Sequence, residues 1–209
     1  MKNKLILCLF LSLPLTVRAQ WYDDLKPAVQ PRLMAGADFA AFCISLKDFE
    51  DLYTNRWGTS LGGFIGVRAF AVHYIMFKYG TFNKSGRQDG ASDVDFSNAR
   101  WREQWYKIGL RVHPVPNSKW GSYYGFGIAF YDIKETEGLS IFTLKNKEAS
   151  REIGSGFYLD AGIDYFMRPE VALFFDVEIA SGGTSGRTGF EAMSIGGWRF
   201  AGGISFWPF

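Results

Sequence analysis

Alternation between apolar residues and polar or small residues recurs in eight segments of this chain. In the clearest segment, EVALFFDVEIA at Glu170–Ala180, five apolar side chains share one face while Asp176 and Glu178 share the other. A period of two is the pattern of a β-strand with two unlike faces. No helical period of comparable strength appears beyond the N-terminal segment. The pattern alone does not say whether the apolar faces line a soluble core or meet lipid.

The eight predicted strands are joined by connections that alternate between long and short. We predict strands at Leu33–Ile44, two within Ser60–Phe82 that reverse near Phe70–His73, Arg100–Val112, Trp120–Asp132, Gly156–Phe166, Glu170–Ala180 and Ser194–Phe209. Long polar connections are expected at Lys47–Thr59, Asn83–Asn98, Lys134–Glu152 and Ser181–Met193. An up-and-down barrel has this order, because one rim carries loops and the other carries turns. A Greek-key sandwich mixes the two lengths, so the sequence predicts an all-β, up-and-down antiparallel transmembrane β-barrel of eight strands.

The N-terminal segment, MKNKLILCLFLSLPLTVRAQ, is typical of a secretory signal peptide. Lys2 and Lys4 precede a short apolar run, and Ala19 offers a small residue for cleavage. The apolar run is shorter than the ~20 residues that a membrane-spanning helix needs. We therefore expect a signal peptide at residues 1–19, a short periplasmic lead-in at 20–31 and an outer-membrane β-barrel at 32–209.

Cleavage of the signal peptide changes the charge balance. Residues 1–19 hold three basic residues and no acid, so the 23 basic and 21 acidic residues of the whole chain become 20 and 21. The net charge falls from +2 to −1, which gives no electrostatic reason to expect a nucleic-acid partner. The mature chain keeps one cysteine, Cys43, so an intrachain disulfide is excluded.

The second face of the predicted strands combines charged residues with glycine and alanine. Glycine weakens a strand, but small residues make room for large ones in the interior of a narrow barrel. The charges are of both signs, and buried charges are tolerated when they are paired. We therefore predict an interior charge network, with the apolar faces towards lipid. Its predicted members are Asp38, Arg68, Lys78, Glu103, Lys107, Arg111, Asp160, Asp164, Asp176, Glu178 and Arg199. The alternative is that these residues form a water-exposed exterior.

Aromatic residues are expected at both rims, where rings lie at the depth of the lipid headgroups. The residues predicted for the long-loop rim are Trp101, Tyr131, Phe157, Trp198 and Phe200. Those predicted for the short-turn rim are Trp120, Tyr165, Phe166, Phe206 and Trp207.

Catalytic chemistry has little support in the sequence. A lipid-modifying barrel needs a nucleophile and a base within hydrogen-bond reach, and both histidines, His73 and His113, fall in predicted short turns. Neither is followed by the serine of the His-x-Ser pattern found in the lipid A deacylase family. No phosphate-binding GxxxxGK[ST] run and no zinc-type cluster of Cys and His occurs. We expect no enzymatic activity, no cofactor and no metal site.

The signal peptide, the eight amphipathic strands and a last strand ending at Phe209 resemble the small outer-membrane β-barrels of the OmpA/OmpX type. The resemblance implies the outer membrane of a Gram-negative bacterium, with outer-membrane lipid and lipopolysaccharide as surroundings. It also implies that the barrel assembly machinery recognises the last strand, with Trp207 and Phe209 as the assembly signal. One departure from the pattern is that Phe206 and Ile204 lie on the opposite face from Trp207.

An eight-stranded barrel is filled by its own side chains, so a general pore is not expected. We expect a structural or surface-interaction role carried by four long extracellular loops, one of which contains the apolar stretch Leu139–Leu144. One alternative is a binder or transporter of small hydrophobic ligands, either in the membrane or as a soluble lipocalin-like barrel. The other is a lipid-modifying outer-membrane enzyme.

Overall fold

Eight β-strands form one closed sheet. In this computed structural model the described residues are 31–46, 49–53, 55–86, 99–114, 119–136, 149–184 and 194–208. The strands are β1 Leu33–Ile44, β2 Trp57–Phe70, β3 His73–Ser85, β4 Arg100–Val112, β5 Trp120–Thr136, β6 Ala149–Arg168, β7 Val171–Thr184 and β8 Ser194–Phe206. Each strand pairs antiparallel with its sequence neighbours, and β1 also pairs with β8, which closes the barrel. The predicted all-β, up-and-down, eight-stranded fold is confirmed.

Five predicted strands, β2, β3, β5, β6 and β7, are longer than the sequence indicated, while β1 and β4 have the predicted bounds. β5 continues past Asp132 to Thr136, and β6 begins at Ala149 rather than at Gly156. In the extension of β5, the apolar Ile133 points inward and is buried, while Lys134 points outward and is exposed. The contrast between the two faces is therefore reversed, so a rule that looks for an apolar outer face ends the strand too early.

Some predictions lie outside the described residues. These are the signal peptide, most of the periplasmic lead-in, the stretch Leu139–Leu144 and the terminal Phe209.

One short helix, α1 at Phe49–Leu52, follows β1. Within the described ranges, no helix is both long enough and apolar enough to cross a membrane.

The apolar faces of the strands point away from the barrel. On β6, Phe157 and Leu159 are 73% and 62% exposed, whereas Asp160, the next residue along the strand, is buried. On β5 the outward apolar and aromatic residues run from Trp120 to Phe130, which spans about 25 Å at the usual rise and tilt of barrel strands. An apolar belt about 25 Å tall is the height of a lipid-facing band. So large an exposed apolar surface is not stable in water, which rules out the soluble lipocalin-like alternative.

The barrel interior has three layers. At the short-turn end lies a cluster that we call the short-turn plug, made of Met34, Phe64, Tyr74, Met76, Phe174 and Trp207. At the long-loop end lies the long-loop plug, whose larger members are Phe42, Phe49, Tyr53, Phe82, Trp101, Trp105, Tyr131, Tyr158 and Ile195. Between the plugs lie ionisable side chains. The same order can be read along β3, where Tyr74 and Met76 are followed by Lys78 and then Phe82.

Glycine makes room for the large residues of these layers. A Cβ at Gly80 would lie 2.5 Å from the Trp105 indole, and a Cβ at Gly66 would lie 2.6 Å from the Met76 sulfur. A Cβ at Gly202, on the outside of β8, would lie 3.8 Å from the nearest atom within reach. Inward glycines therefore pack against rings and thioethers, as expected for the interior of a narrow barrel.

The first long connection closes the mouth of the barrel from the long-loop side. Phe49 of α1 and Tyr53 are fully buried and stack on each other with ring centroids 4.3 Å apart. Phe49 also meets the Trp101 ring edge-on at 5.3 Å. The Tyr53 hydroxyl donates a hydrogen bond to Glu135 Oε1 at 3.1 Å. Burial, together with the neighbouring Glu135 carboxylate, raises the pKa of Tyr53, so the hydroxyl stays a donor and holds α1 in place.

Candidate functional site

The largest cluster of ionisable side chains among the described residues lies between the two plugs, and we call it the charge layer. Its members are Asp38, Lys78, Lys107, Arg111, Asp160, Asp176, Glu178 and Arg199. They come from β1, β3, β4, β6, β7 and β8, so the layer crosses the whole barrel. Four of the side chains are basic and four are acidic, so their formal charges cancel.

Lys78 and Glu178 are at the centre of the charge layer. The Lys78 ammonium donates to Asp160 Oδ2 at 2.6 Å and to Glu178 Oε2 at 3.1 Å. Lys107 donates to the other oxygen of Glu178. The Lys78 ammonium also lies 5.0 Å from the centre of the Tyr158 ring. Each charge therefore has at least one opposite charge or a ring face next to it, which is the condition under which buried ions are tolerated.

Arg111 links Asp160 to one further acid, Asp176. Its guanidinium lies 2.6 Å from Asp160 Oδ2 and 3.5 Å from Asp176 Oδ2. It also lies over the Tyr123 ring, 3.9 Å from the centroid. The Tyr123 hydroxyl donates to Asp176 Oδ2 at 3.0 Å. Asp160 thus accepts from Arg111 and from Lys78, and loss of its charge would leave two cations facing each other.

A separate pair closes the layer near the seam between the first and last strands. Arg199 of β8 donates to Asp38 of β1, and both side chains are 6% exposed. A Cβ at Gly62 on β2 would lie 2.9 Å from the Asp38 carboxylate and 3.0 Å from the Arg199 guanidinium. The absence of a side chain at Gly62 is what leaves space for this pair.

The charge layer has no room for an organic ligand. The cavity inside it has a volume of about 10 Å³ and is bordered by Phe64, Lys78, Trp105 and Arg111, among others. That is space for about one water molecule, whereas small-molecule pockets are typically ~300–1,000 Å³. Within the described ranges, no group of three or more His, Cys, Asp or Glu side chains is arranged to hold a metal ion.

Three predicted members of the network, Glu103, Arg68 and Asp164, lie away from the charge layer. Glu103 is fully buried on β4, opposite Phe82 on β3 and Ile133 on β5, and so belongs with the long-loop plug. Arg68 is half-buried near the short-turn end of β2, where its backbone N–H donates to the carbonyl of Arg32. Both side chains follow the inward alternation of their strands, but neither is part of the balanced set.

The third such residue, Asp164, has a partner that the sequence did not indicate. His113 Nε2 lies 2.8 Å from Asp164 Oδ2, and both side chains are buried. The sequence placed His113 in a short turn, but its side chain continues the inward series of Lys107 and Arg111 on β4. That spacing of two residues is the signal that could have found it. His113 stacks on Tyr123 at 5.8 Å.

Trp207, which the resemblance made part of the assembly signal, points inward. It follows β8, its backbone N–H donates to the Glu170 carbonyl, and its side chain is 3% exposed. The indole packs against His113 at 4.7 Å and against Phe166 at 5.6 Å. The outward residue at the end of β8 is Phe206, which is 51% exposed. Recognition of Trp207 and Phe209 by the barrel assembly machinery stays a prediction.

The aromatic belts differ in part from the predicted ones. Phe157, Trp198, Trp120 and Phe206 face outward, as expected. Four predicted belt residues instead face the interior, and these are Trp101, Tyr131, Phe166 and Trp207. The exposed rings that were not predicted for the belts include Trp57, Phe70, Tyr79 and Tyr106. These errors have one cause. The sequence shows how near a residue is to a strand end, but whether its ring points inward or outward depends on its odd or even position within the strand.

Comparison with known proteins agrees with this fold. No family model and no curated protein sequence matches the chain. Among solved structures, Neisserial surface protein A is similar, with 15% identity, a TM-score of 0.58, and coverage of 84% of this chain and 97% of that one. The outer membrane protein OprG from Pseudomonas aeruginosa has 13% identity, a TM-score of 0.54, and coverage of 84% and 95%.

The outer membrane protein AlkL is a third similar structure, with 14% identity, a TM-score of 0.51, and coverage of 90% of this chain and 95% of that one. At such low identity these likenesses show the fold. The apolar belt on this chain's own surface adds the bilayer as its surroundings. The chain is therefore an eight-stranded β-barrel with a lipid-facing belt and with the OmpA/OmpX-type fold that its sequence predicted, a fold it shares with these outer-membrane proteins.

Proposed function

We propose that this protein is a closed, non-enzymatic outer-membrane barrel whose role is structural or lies in surface interactions through its four long connections. The observation that carries the proposal is the filled interior. Two aromatic plugs and a balanced charge layer occupy the barrel from one end to the other. The cavity in the charge layer has space for about one water molecule. The surfaces left to act on other molecules are the connections and the outer wall.

A pore function conflicts with the position of α1. Phe49 and Tyr53 lie in the barrel mouth among Trp101 and Phe82, with all four rings fully or almost fully buried. A conducting path would have to displace these rings and then break the ion pairs beneath them. Wide barrels leave an aqueous channel, but eight strands enclose a space that side chains fill.

Catalysis is disfavoured by the surroundings of the histidines. His113 and Asp164 have the geometry of a base and its orienting acid, but the described ring neighbours of His113 are Tyr74, Tyr123, Phe166 and Trp207. The imidazole is 2% exposed, so a lipid ester has no route to it. Acyl transfer needs a nucleophile within reach of the base. His113 therefore serves the packing of the short-turn plug.

Transport of small hydrophobic molecules has no specific support. Such a molecule would need a cavity or an opening in the wall, and all eight strand pairs, including β1 with β8, are hydrogen-bonded. Near the long-loop end of β8, Gly196 adopts a φ of +101°. Its carbonyl oxygen accepts hydrogen bonds from the backbone N–H and the hydroxyl of Ser45, which follows β1. That contact closes the seam.

Planar-bilayer recordings of the full-length mature chain test the proposal. We expect no stable conductance for the wild type, and none for Phe49→Ser/Tyr53→Ser, because the charge layer and the short-turn plug still fill the barrel below its mouth. Mass spectra of lipopolysaccharide and phospholipid incubated with the protein should show no change. Steady ohmic channels in the wild type, or loss of an acyl chain from either lipid, would contradict the proposal.

A further inference from the structure

Three cations lie side by side on the outer wall at the long-loop end. Arg102 on β4 is directly opposite Lys134 on β5, and Lys134 is directly opposite Arg151 on β6. All three side chains are exposed and point away from the barrel. We call these three residues the cation row. Arg100, two residues further along β4 on the same face, is a fourth exposed cation next to the row.

Among the side chains that the structure describes, one acid faces the cation row. Asp132 accepts two hydrogen bonds from Arg151, from Nε at 2.8 Å and from Nη2 at 2.7 Å. These bonds, with the charges of Lys134 and Arg102, hold the pKa of Asp132 below its usual range. The two other acids on this part of β5 and β6, Glu135 and Glu152, point inward and are buried.

Like charges directly opposite each other on neighbouring strands are destabilising. Within the described strands, one carboxylate for three cations leaves repulsion that an anion from outside would remove. In the register position just below the row, Asp132 on β5 lies between the uncharged Gln104 on β4 and Ile153 on β6, and the uncharged Asn83 on β3 lies beside Arg102. The row is therefore an anion-binding surface whose strands are fixed by the barrel.

The depth of the cation row points to a lipid headgroup. Phe130, at the top of the apolar belt, lies four residues before Lys134 on β5. Four residues of a tilted strand place the row about 10 Å above the belt, at the level of headgroups. Directly beneath the row lie the exposed Tyr106, Phe130 and Ile153. An anion that also carries acyl chains would satisfy the cations and cover these apolar side chains together.

We propose that the cation row binds the phosphate groups of a lipopolysaccharide molecule in the outer leaflet, with its acyl chains against the belt below. Longer loops face the cell exterior in barrels of this kind, so the row lies in that leaflet. The row spans two strand spacings, about 10 Å, so neighbouring cations can hold two phosphates. The guanidinium forks of Arg102 and Arg151 match phosphate oxygens. The site lies on the outer wall and does not depend on the role proposed for the loops.

Binding of fluorescently labelled lipopolysaccharide to the detergent-solubilised mature chain tests the site. We expect Arg102→Gln/Lys134→Gln to weaken binding about tenfold or more, since two charge-assisted contacts are lost. Lipopolysaccharide stripped of phosphate by a phosphatase should bind the wild type as weakly as intact lipopolysaccharide binds the variant. Because the variant also loses repulsion between strands, its folded, heat-modifiable form should persist at least as well as that of the wild type.

A matched variant controls for the loss of two charges. Lys119→Gln/Arg168→Gln removes two exposed cations at the short-turn rim and should leave the affinity within about twofold of the wild type. Equal binding by Arg102→Gln/Lys134→Gln and the wild type would overturn the proposal. So would equal binding of intact and phosphatase-treated lipopolysaccharide, or full displacement by millimolar inorganic phosphate, which would indicate a site for free phosphate.

Discussion

The charge layer inside the barrel and the cation row outside it use the same residue types in opposite ways. The inner set has four basic and four acidic side chains, all buried and in contact with opposite charges. The outer set has three basic side chains around one acid, and Arg151 is 59% exposed. Burial forces a charge to find a partner within the protein, whereas exposure lets it find one elsewhere. A balanced cluster therefore holds the fold together, and an unbalanced cluster is available to bind a partner.

The largest expected effect comes from breaking the balance inside. Asp160→Asn removes the carboxylate charge shared by Lys78 and Arg111, so two buried cations lose their main partner. We expect the free energy of unfolding to fall by about 3–5 kcal/mol, the usual cost of removing one member of a buried ion pair. Urea unfolding of the barrel in lipid vesicles, followed by tryptophan fluorescence, measures it. Asp132→Asn on the outer wall is the matched control and should leave the unfolding midpoint nearly unchanged.

A smaller loss should follow from filling the space that a glycine leaves beside the charge layer. Gly80→Val would place its Cβ 2.5 Å from the Trp105 indole, which also lies 5.0 Å from the Lys107 ammonium. Overpacking of this kind costs about 1–3 kcal/mol. Gly202→Val, whose side chain would enter open space on the outside of β8, should keep wild-type stability in the same unfolding assay. Equal losses in both variants would show that strand propensity, not interior space, governs these glycines.

Salt separates the two regions without any mutation. Ions screen exposed charges far more than buried ones, so raising NaCl from low to high ionic strength should weaken lipopolysaccharide binding about tenfold. The free energy of unfolding in lipid without phosphate should change little, because the ion pairs that support it are inside. If unfolding were as salt-sensitive as binding, the charge layer would have to be open to solvent.

The smallest effect is expected from the connection between β5 and β6. Replacing residues 137–148 by a short turn should leave heat-modifiable migration unchanged and lower the free energy of unfolding by less than about 1 kcal/mol, since loop length changes stability only slowly. Lipopolysaccharide binding should also persist, because Lys134 and Arg151 lie on the strands. Loss of folding would show that this connection is part of the barrel's support.

Much of the fold could be predicted from local pattern because a period of two is read within a single strand. β1 and β4 have the predicted bounds, and the inward facing of Lys107 and Arg111 follows from the same alternation. The pairings could not be predicted, since Lys78 and Asp160 are 82 residues apart and meet only once the stagger of the barrel is set.

The features that were missed depend on geometry beyond one strand. The mouth of the barrel is filled by Phe49 and Tyr53 from a connection whose sequence reads as polar. His113 and Trp207 lie just past strand ends and still follow the inward alternation, but the ring contact between them joins β4 to β8 and depends on how these strands are arranged. The cation row forms only when β4, β5 and β6 pair in their observed register, because Arg102, Lys134 and Arg151 are far apart along the chain.

A double-mutant cycle on Arg111 and Asp160 measures whether the buried charges stabilise the fold as interdependent pairs. The unfolding free energies of Arg111→Met, Asp160→Leu and the double variant, measured in lipid vesicles, give the coupling between the two side chains. We predict a coupling of about 2–3 kcal/mol, with the double variant more stable than the sum of the single losses implies. A coupling near zero would contradict the account, because the charge layer would then not be a set of mutually dependent pairs.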